Sequence, residues 1–275
     1  MYALDFEYDN HLLSDFGFII CDFDYSSGAV SVNTGSQITF SKVAVRSGRS
    51  YTLTGTKYDE CIQSTFDICK NPDVYDGEDR EITSEEYRIM ARWLNRRQFL
   101  RFRIVTETDG VDKNKEPYWY YVSFNIQKIT IADKVYGIRL QLESNSPFGY
   151  GAEETNTFEF TESEKSKTLT DVSDEIGDIY PNITVTCGES GKLEIKNETL
   201  GTITEILNCS VGEEITFLGD RQIVQSNLSS HSLARDFNYS FPKIGNTYDS
   251  RINKITVNMS CDMTVKYRPI IKDFA

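Results

Sequence analysis

The passage TSEEYRIMARWLNRRQFLRFRIV constrains the fold more than any other part of the sequence, because its periodicity changes within a few residues. From Thr83 to Asn95 apolar residues recur at helical spacing, and Thr83 with Glu86 forms the capping-box pattern of a helix start. From Leu100 to Ile104 apolar residues alternate with arginines, as in a half-buried strand. The passage therefore predicts one amphipathic helix followed directly by one amphipathic strand.

Strand-like alternation of apolar and polar residues occupies most of the first half of the chain. Because a single helix beside many strands has no helical partner, it must bury its apolar stripe against a sheet. A polar loop of 13 residues, 106–118, joins two of the strands and has a length typical of functional or mobile loops. The predicted strands are 2–8, 38–45, 51–53, 61–69, 100–104, 118–126 and 138–142.

The composition changes near residue 150. The stretch SNSPFGYGAEETNTF concentrates turn-forming residues, and 151–178 is acidic and poor in apolar residues. We therefore predict two domains, 1–150 and 151–275, with 151–178 as the connection. The second domain shows strand patterns and no helix, the clearest being the alternation from Ile255 to Tyr267. Many short strands of this kind predict a β-sandwich or jelly roll.

The charge balance excludes some partners. With 42 Asp and Glu against 29 Lys and Arg, the net charge is −13, which argues against stable binding to nucleic acid or to an anionic membrane. The first residues lack a basic leader followed by an apolar core, and no stretch approaches the ~20 apolar residues of a membrane span. We expect a protein made in the cytosol, with its six cysteines as free thiols.

No catalytic or metal-binding motif is evident in the sequence. The two histidines, His11 and His231, lie in different halves, and each is predicted to be a turn or surface residue. The stretches SGRS and GESGK match neither a nucleophile elbow nor a phosphate-binding loop and are interpreted as turns. We therefore expect no enzymatic activity, no cofactor and no metal site.

A basic cluster and an aromatic run are the best candidates for a recognition surface. Six arginines and no acid occupy 88–103, and the run YWYYVSF places two large aromatic residues on the face opposite the core. The cluster is interpreted either as a solvated basic edge or as a contact with acidic patches on a neighbouring subunit. The candidate interface residues are Arg96, Arg97, Arg101, Arg103, Trp119 and Tyr121.

Several passages together resemble a known family. The first half contains VAVRSGRSYTLTGTKYDECIQSTFDI, SEEYRIMARWLNRRQFLRFRI and LQLESNSPFGYG, and the second contains YPNITVTCGESGKLEIKN, VGEEITFLGDRQIV and KITVNMSCDMTVKYRP. These patterns of strand, helix and turn resemble the distal tail proteins of long-tailed bacteriophages. The resemblance implies a mainly β protein. Its N-terminal part would be a β-sandwich or split-barrel-like domain with one packed helix, and its C-terminal part a galectin-like or jelly-roll β-sandwich.

The resemblance also implies a structural function. Distal tail proteins form a hexameric ring at the tail tip that joins the tail tube to the spike and to the receptor-binding or baseplate proteins. The chain would then act at the virion tail tip after assembly in the bacterial cytoplasm, with 1–150 as the ring-forming domain. A carbohydrate-binding β-sandwich module is the alternative function, and a glycan hydrolase is the third.

Overall fold

The computed structural model describes residues 3–23, 38–58, 61–106 and 118–272. The chain divides into two compact units, one formed by Met1–Tyr150 with Lys272–Ala275 and the other by Gly151–Ile271. Antiparallel strands make up most of the described residues, which also contain two α-helices. In this part of the chain neither helix is long and apolar enough to cross a membrane. The predicted mainly β fold class is confirmed.

The N-terminal unit is built on one seven-stranded antiparallel sheet with strand order β2-β1-β7-β8-β9-β6-β3, and β4 with β5 forms a separate hairpin. Short 3₁₀ helices occupy Leu13–Phe16 and Gly77–Arg80. Most of the predicted loop, 107–117, lies outside the described residues. The strands are β1 (Ala3–Tyr8), β2 (His11–Leu12), β3 (Phe18–Cys21), β4 (Ile38–Ala44), β5 (Tyr51–Tyr58), β6 (Gln63–Lys70), β7 (Leu100–Thr106), β8 (Tyr120–Ile131), β9 (Lys134–Ser144) and β10 (Gly149–Tyr150).

Helix α1 (Ser84–Leu94) confirms the predicted helix and its capping box. The Thr83 hydroxyl accepts a hydrogen bond from the backbone N–H of Glu86, and the Glu86 carboxylate accepts one from the Thr83 N–H at 2.8 Å. The helix buries Met90, Trp93 and Leu94 in the core that it shares with the seven-stranded sheet. The apolar stripe is therefore packed against a sheet, as predicted.

An ion pair between buried Lys70 and half-buried Glu86 joins the start of α1 to the sheet. The ammonium group of Lys70 on β6 lies 2.7 Å from the Glu86 carboxylate and also donates to the carbonyls of Asp79 and Glu81. Burial disfavours the charged carboxylate, but the hydrogen bonds from Lys70 and Thr83 outweigh it and lower the pKa of Glu86. The lysine thus satisfies three acceptors near the helix start.

The C-terminal unit is a β-sandwich. A five-stranded sheet in the order β11-β21-β14-β17-β18 and a four-stranded sheet in the order β12-β20-β15-β16 contribute side chains to one shared core. The structure adds a single-turn helix, α2 (Leu233–Asp236), where the sequence predicted none. The strands are β11 (Glu154–Phe160), β12 (Ser166–Thr170), β13 (Gly177–Ile179), β14 (Asn182–Cys187), β15 (Gly191–Asn197), β16 (Thr202–Cys209), β17 (Glu214–Leu218), β18 (Ile223–Ser226), β19 (Ile244–Asn246), β20 (Ile252–Val257), β21 (Cys261–Tyr267) and β22 (Ile270–Ile271).

The prediction that 151–178 connects two domains is wrong. This segment forms β11, β12 and the start of β13, and it buries Phe160 and Leu169 in the core of the sandwich. β11 and β12 are edge strands of their sheets, and each of them fully buries only one of these two large apolar side chains. Edge strands of this kind have the same low apolar content as a linker, which is why composition misassigned them.

We predict that Phe160→Ala destabilises the C-terminal unit by about 3–5 kcal/mol, because Phe160 is 1% exposed and a linker residue would cost nothing. Urea unfolding followed by far-UV circular dichroism measures the loss. Both tryptophans lie in the N-terminal unit, so tryptophan fluorescence should report an unchanged transition there. Thr157→Ala on the exposed part of the same strand is the control and should cost less than about 0.5 kcal/mol. Equal costs for the two variants would contradict the assignment.

Candidate subunit interface

Four of the six candidate interface residues lie together on one face of the seven-stranded sheet. Strands β7 and β8 pair with Arg101 opposite Tyr121 and Phe102 opposite Tyr120. Phe102 and Tyr120 are buried in the core, so Arg101 and Tyr121 point to the other face. Arg103 and Trp119 share that face by the same alternation. The prediction that the arginines of β7 lie opposite its apolar residues is confirmed.

The two arginines stack on the tryptophan. The guanidinium carbon of Arg101 lies 3.8 Å from the centre of the Trp119 ring, and that of Arg103 lies 5.1 Å from it. Arg103 also donates from Nε to the Glu7 carboxylate on β1 at 2.8 Å. Cation–π contacts of this kind contribute about 0.5–1 kcal/mol at exposed sites and more when water is excluded. Trp119 is therefore half-buried by its own chain and is not a bare aromatic surface.

The two aromatic residues of this face contact Tyr150, which lies at the C-terminal end of the segment 1–150. Trp119 and Tyr150 exchange two backbone hydrogen bonds of 2.8 Å, and the Tyr121 ring packs edge-on against the Tyr150 ring at 5.8 Å. We call Arg101, Arg103, Trp119, Tyr121 and Glu7 the arginine–tryptophan face. It offers two cations and two aromatic rings, held in position by backbone pairing and by the pair with Glu7.

Arg96 and Arg97 lie elsewhere, in the turn between α1 and β7. Arg96 donates from Nε to the carbonyl of Trp93 and lies 3.8 Å from the Asp9 carboxylate, while Arg97 is exposed. The side chains of Arg88 and Arg92 are exposed on α1. The structure therefore separates the six clustered arginines into a sheet-face pair and a group on the helix and its turn.

Sequence reasoning missed a second exposed surface, the hairpin of β4 and β5. Its strands were predicted, but their apolar residues were not singled out as a surface. In the structure Ile38, Phe40, Tyr51 and Leu53 are all exposed. The signal that could have found this surface is charge, because residues 38–58 contain four basic residues and no acidic ones.

A buried polar cluster in the C-terminal unit has the residue types of a catalytic triad but not its geometry. The Glu213 carboxylate accepts hydrogen bonds from the Ser226 hydroxyl and pairs with Nδ1 of His231. The Nε2 of His231 donates to the carbonyl of Leu207 at 2.9 Å and lies 3.3 Å from the Asp236 carboxylate. In a triad the hydroxyl donates to the imidazole, whereas here both imidazole nitrogens face acceptors. The cluster is a structural ion pair.

The prediction that His231 is a turn or surface residue holds only for the turn. The N–H of His231 donates to the carbonyl of Leu228 and closes a turn, but the His231 side chain is only 4% exposed, whereas His11 is exposed as expected. Burial disfavours the imidazolium, but the hydrogen bond and the charge of Glu213 outweigh burial and raise the pKa of His231. Burial likewise disfavours the Glu213 carboxylate, but hydrogen bonds from Ser226 and His231 outweigh it and lower its pKa. Among the described residues no group of three or more His, Cys, Asp or Glu is placed to hold a metal ion.

Both halves of the chain match family models of phage tail proteins. The chain matches a family model described as the phage tail protein N-terminal domain over residues 1–146, and one described as the phage tail C-terminal domain over residues 148–267. No curated protein sequence matches the chain.

A solved structure also shares the fold. The crystal structure of the Dit protein of phage SPP1 matches with a TM-score of 0.65 and 11% identity, covering 97% of this chain and 99% of that chain. The SPP1 protein is described as a paradigm of the hub adsorption apparatus in phages that infect Gram-positive bacteria. At this identity the similarity establishes a common fold.

The ion pair of His231 with Glu213 predicts a pH-dependent stability of the C-terminal unit. The raised pKa of His231 gives a contribution that is complete below about pH 6.5 and is lost as the pH rises through the raised value. The lowered pKa of Glu213 gives a contribution that is complete above about pH 4.5 and is lost as the pH falls through the lowered value. The pair should therefore stabilise most between these two values.

We predict that His231→Gln lowers the melting temperature on the order of 10 °C at pH 5.5, because breaking a buried ion pair costs about 3–5 kcal/mol. The difference from wild type should shrink as the pH is raised toward 9, because the imidazole loses its charge as the pH rises through its raised pKa. Circular dichroism melts across this range measure both effects. His11→Gln is the control because His11 is exposed. A difference that stays constant with pH would show that the imidazole is neutral in the folded protein.

Proposed function

Since the chain belongs to the phage tail protein family, whose two domain models together match most of its length, we propose that it is a structural tail-tip protein that assembles into a closed ring. The phage tail family is shown by the two domain models, and the fold expected from the resemblance to the distal tail proteins is confirmed. The observation that carries the proposal is the fold shared with the SPP1 Dit protein over nearly the full length of both chains.

The proposed ring joins the tail tube to the spike and to the receptor-binding or baseplate proteins. In this role the N-terminal unit forms the ring, which we propose to be hexameric, and assembly takes place in the host cytoplasm before the protein becomes part of the virion. The proposed function is structural and not enzymatic, and it requires surfaces that recognise neighbouring proteins.

The arginine–tryptophan face supports a contact between subunits. A heterologous contact, in which the basic edge of one subunit meets an acidic face of the next, closes a ring when the rotation permits. Outside 88–103 the chain carries 42 acidic against 23 basic residues, which favours contact of this basic edge with a second copy. Exposed ion pairs contribute only about 0.2–1 kcal/mol each. The arginines therefore set the orientation of the contact more than its strength.

The proposed function predicts that the isolated chain forms a ring. We expect the purified full-length chain to form closed rings, visible by negative-stain electron microscopy and measured as one defined oligomer by native mass spectrometry. Gold-labelled antibody against the chain should bind at the tip of intact tails. Labelling along the tube, or a monomer at every concentration tested, would contradict the proposal.

A further prediction tests the contribution of Arg101 and Arg103 to the ring. Replacing both with glutamine should lower the salt concentration at which the ring dissociates, because two orienting charges are removed. Glutamine is preferred to glutamate because an acid at position 103 would face Glu7 and disturb the fold. The control, Arg88→Gln with Arg92→Gln, removes the same charge from the exposed side of α1. Light scattering across a salt series decides, and equal salt responses of the two variants would show that the sheet-face arginines form a solvated edge.

A further inference from the structure

The hairpin of β4 and β5 stands apart from the sheet of its own unit. Its two strands pair with each other, and every residue from Ile38 to Lys57 is exposed. At its base the Tyr58 ring packs edge-on against Phe148 with ring centres 4.7 Å apart, and the Lys272 ammonium lies 5.7 Å from the Tyr58 ring. The hairpin is therefore fixed at its root and exposed along its length.

The two faces of the hairpin differ in polarity. A β-bulge changes the register between Ser41 and Lys42, so that Lys42 pairs with Leu53 and Ala44 pairs with Tyr51. One face, the apolar face, consequently carries Ile38, Phe40, Tyr51 and Leu53, which are between 43% and 68% exposed. Lys42 lies on the same face, with its ammonium group 5.6 Å from the centre of the Phe40 ring. The opposite face carries mainly Thr39, Ser41, Thr52 and Lys57, with Val43 as its large apolar residue.

Four large apolar side chains exposed on one face of a hairpin are uncommon on a protein that acts alone. Monomeric proteins rarely expose large apolar patches, and such patches usually mark protein contacts. A two-stranded hairpin is also marginal by itself in water and gains stability when another surface covers it. We therefore expect that another protein surface covers the apolar face.

The positive charge of the hairpin indicates what kind of partner covers its apolar face. The hairpin carries Lys42, Arg46, Arg49 and Lys57 and no acidic residue, whereas the whole chain has 42 acids against 29 basic residues. The chain without these four residues carries 42 acidic against 25 basic residues, so the net charge of a second copy is opposite to that of the hairpin. The eight residues of β5 extend over roughly 25 Å, which is enough to reach from one subunit onto the next.

We propose that the hairpin is an assembly arm that lays its apolar face on an acidic surface of a second copy of the chain. The inference rests on the proposed ring, because repetition of this contact from each subunit to the next produces a closed assembly when the rotation permits. In this arrangement the hairpin supplies the apolar burial that the arginine–tryptophan face lacks, and the arginines of that face set the orientation.

Photo-crosslinking tests the occupant directly. The full-length chain is prepared with the photoreactive residue p-benzoylphenylalanine in place of Tyr51 and irradiated at concentrations where the wild type assembles. We expect covalent dimers and higher multiples of the chain, identified by mass spectrometry. The same residue in place of Val74, which is 66% exposed against 68% for Tyr51, should give at least about tenfold fewer. Crosslinks only within one chain, or to a different tail protein when assembled tails are irradiated, would overturn the proposal.

A pair of variants tests the apolar face. Phe40→Ser with Leu53→Ser should raise the concentration needed for half-assembly by at least about tenfold, because two apolar anchors are lost. Val43→Ser removes an equally exposed apolar side chain from the opposite face and should leave assembly unchanged. Melting curves of both variants check that the unit remains folded. Equal assembly of the two variants would also overturn the proposal.

Microscopy of the same samples separates this inference from the proposed function. If rings form but position 51 gives no crosslinks between chains, the proposed function holds and the assembly arm is contradicted. If crosslinked dimers form but no rings are seen, the assembly arm is supported and the proposed ring is contradicted. The two conclusions can therefore fail independently.

Discussion

The stacking of Trp93 on Phe6 is the contact on which the N-terminal unit depends. The two rings lie nearly parallel with centres 5.7 Å apart, and the indole N–H donates to the carbonyl of Tyr8 at 3.1 Å. Phe6 also packs against Phe102 of β7, so one aromatic cluster holds the helix and the centre of the sheet together. Because β7 follows α1 after a short turn, fixing the helix fixes the strand and turns Arg101 and Arg103 outward.

The C-terminal unit obtains its core in a different way. Two sheets face each other, and alternate residues of each strand fill the space between them. Buried polar groups of this unit are paired, as with Glu213 and His231. Asn253 accepts hydrogen bonds from the Asn197 side chain and the Gly245 N–H and donates to the Gly245 carbonyl. Such pairing is what allows polar side chains to lie in a sandwich of modest size.

The two surfaces proposed for assembly differ in what they offer a partner. The arginine–tryptophan face is already partly satisfied within the chain by the cation–π stack and by Glu7. The hairpin exposes apolar side chains that its own unit does not cover. The first surface is suited to set an orientation and the second to provide affinity, in keeping with the general division between polar rim and apolar core in protein interfaces.

The sequence by itself determined the local structure: the helix with its cap, the strands of β7 and β8, and the face on which Arg101 and Arg103 lie. These follow from periodicity, which depends only on neighbouring residues. Only the tertiary structure decided that 151–178 forms edge strands, that the hairpin is uncovered, that His231 is buried against Glu213 and that Arg101 lies over Trp119. Periodicity shows which side chains share a face, but what covers that face is set by residues distant in sequence, and the pattern of a single strand does not contain them.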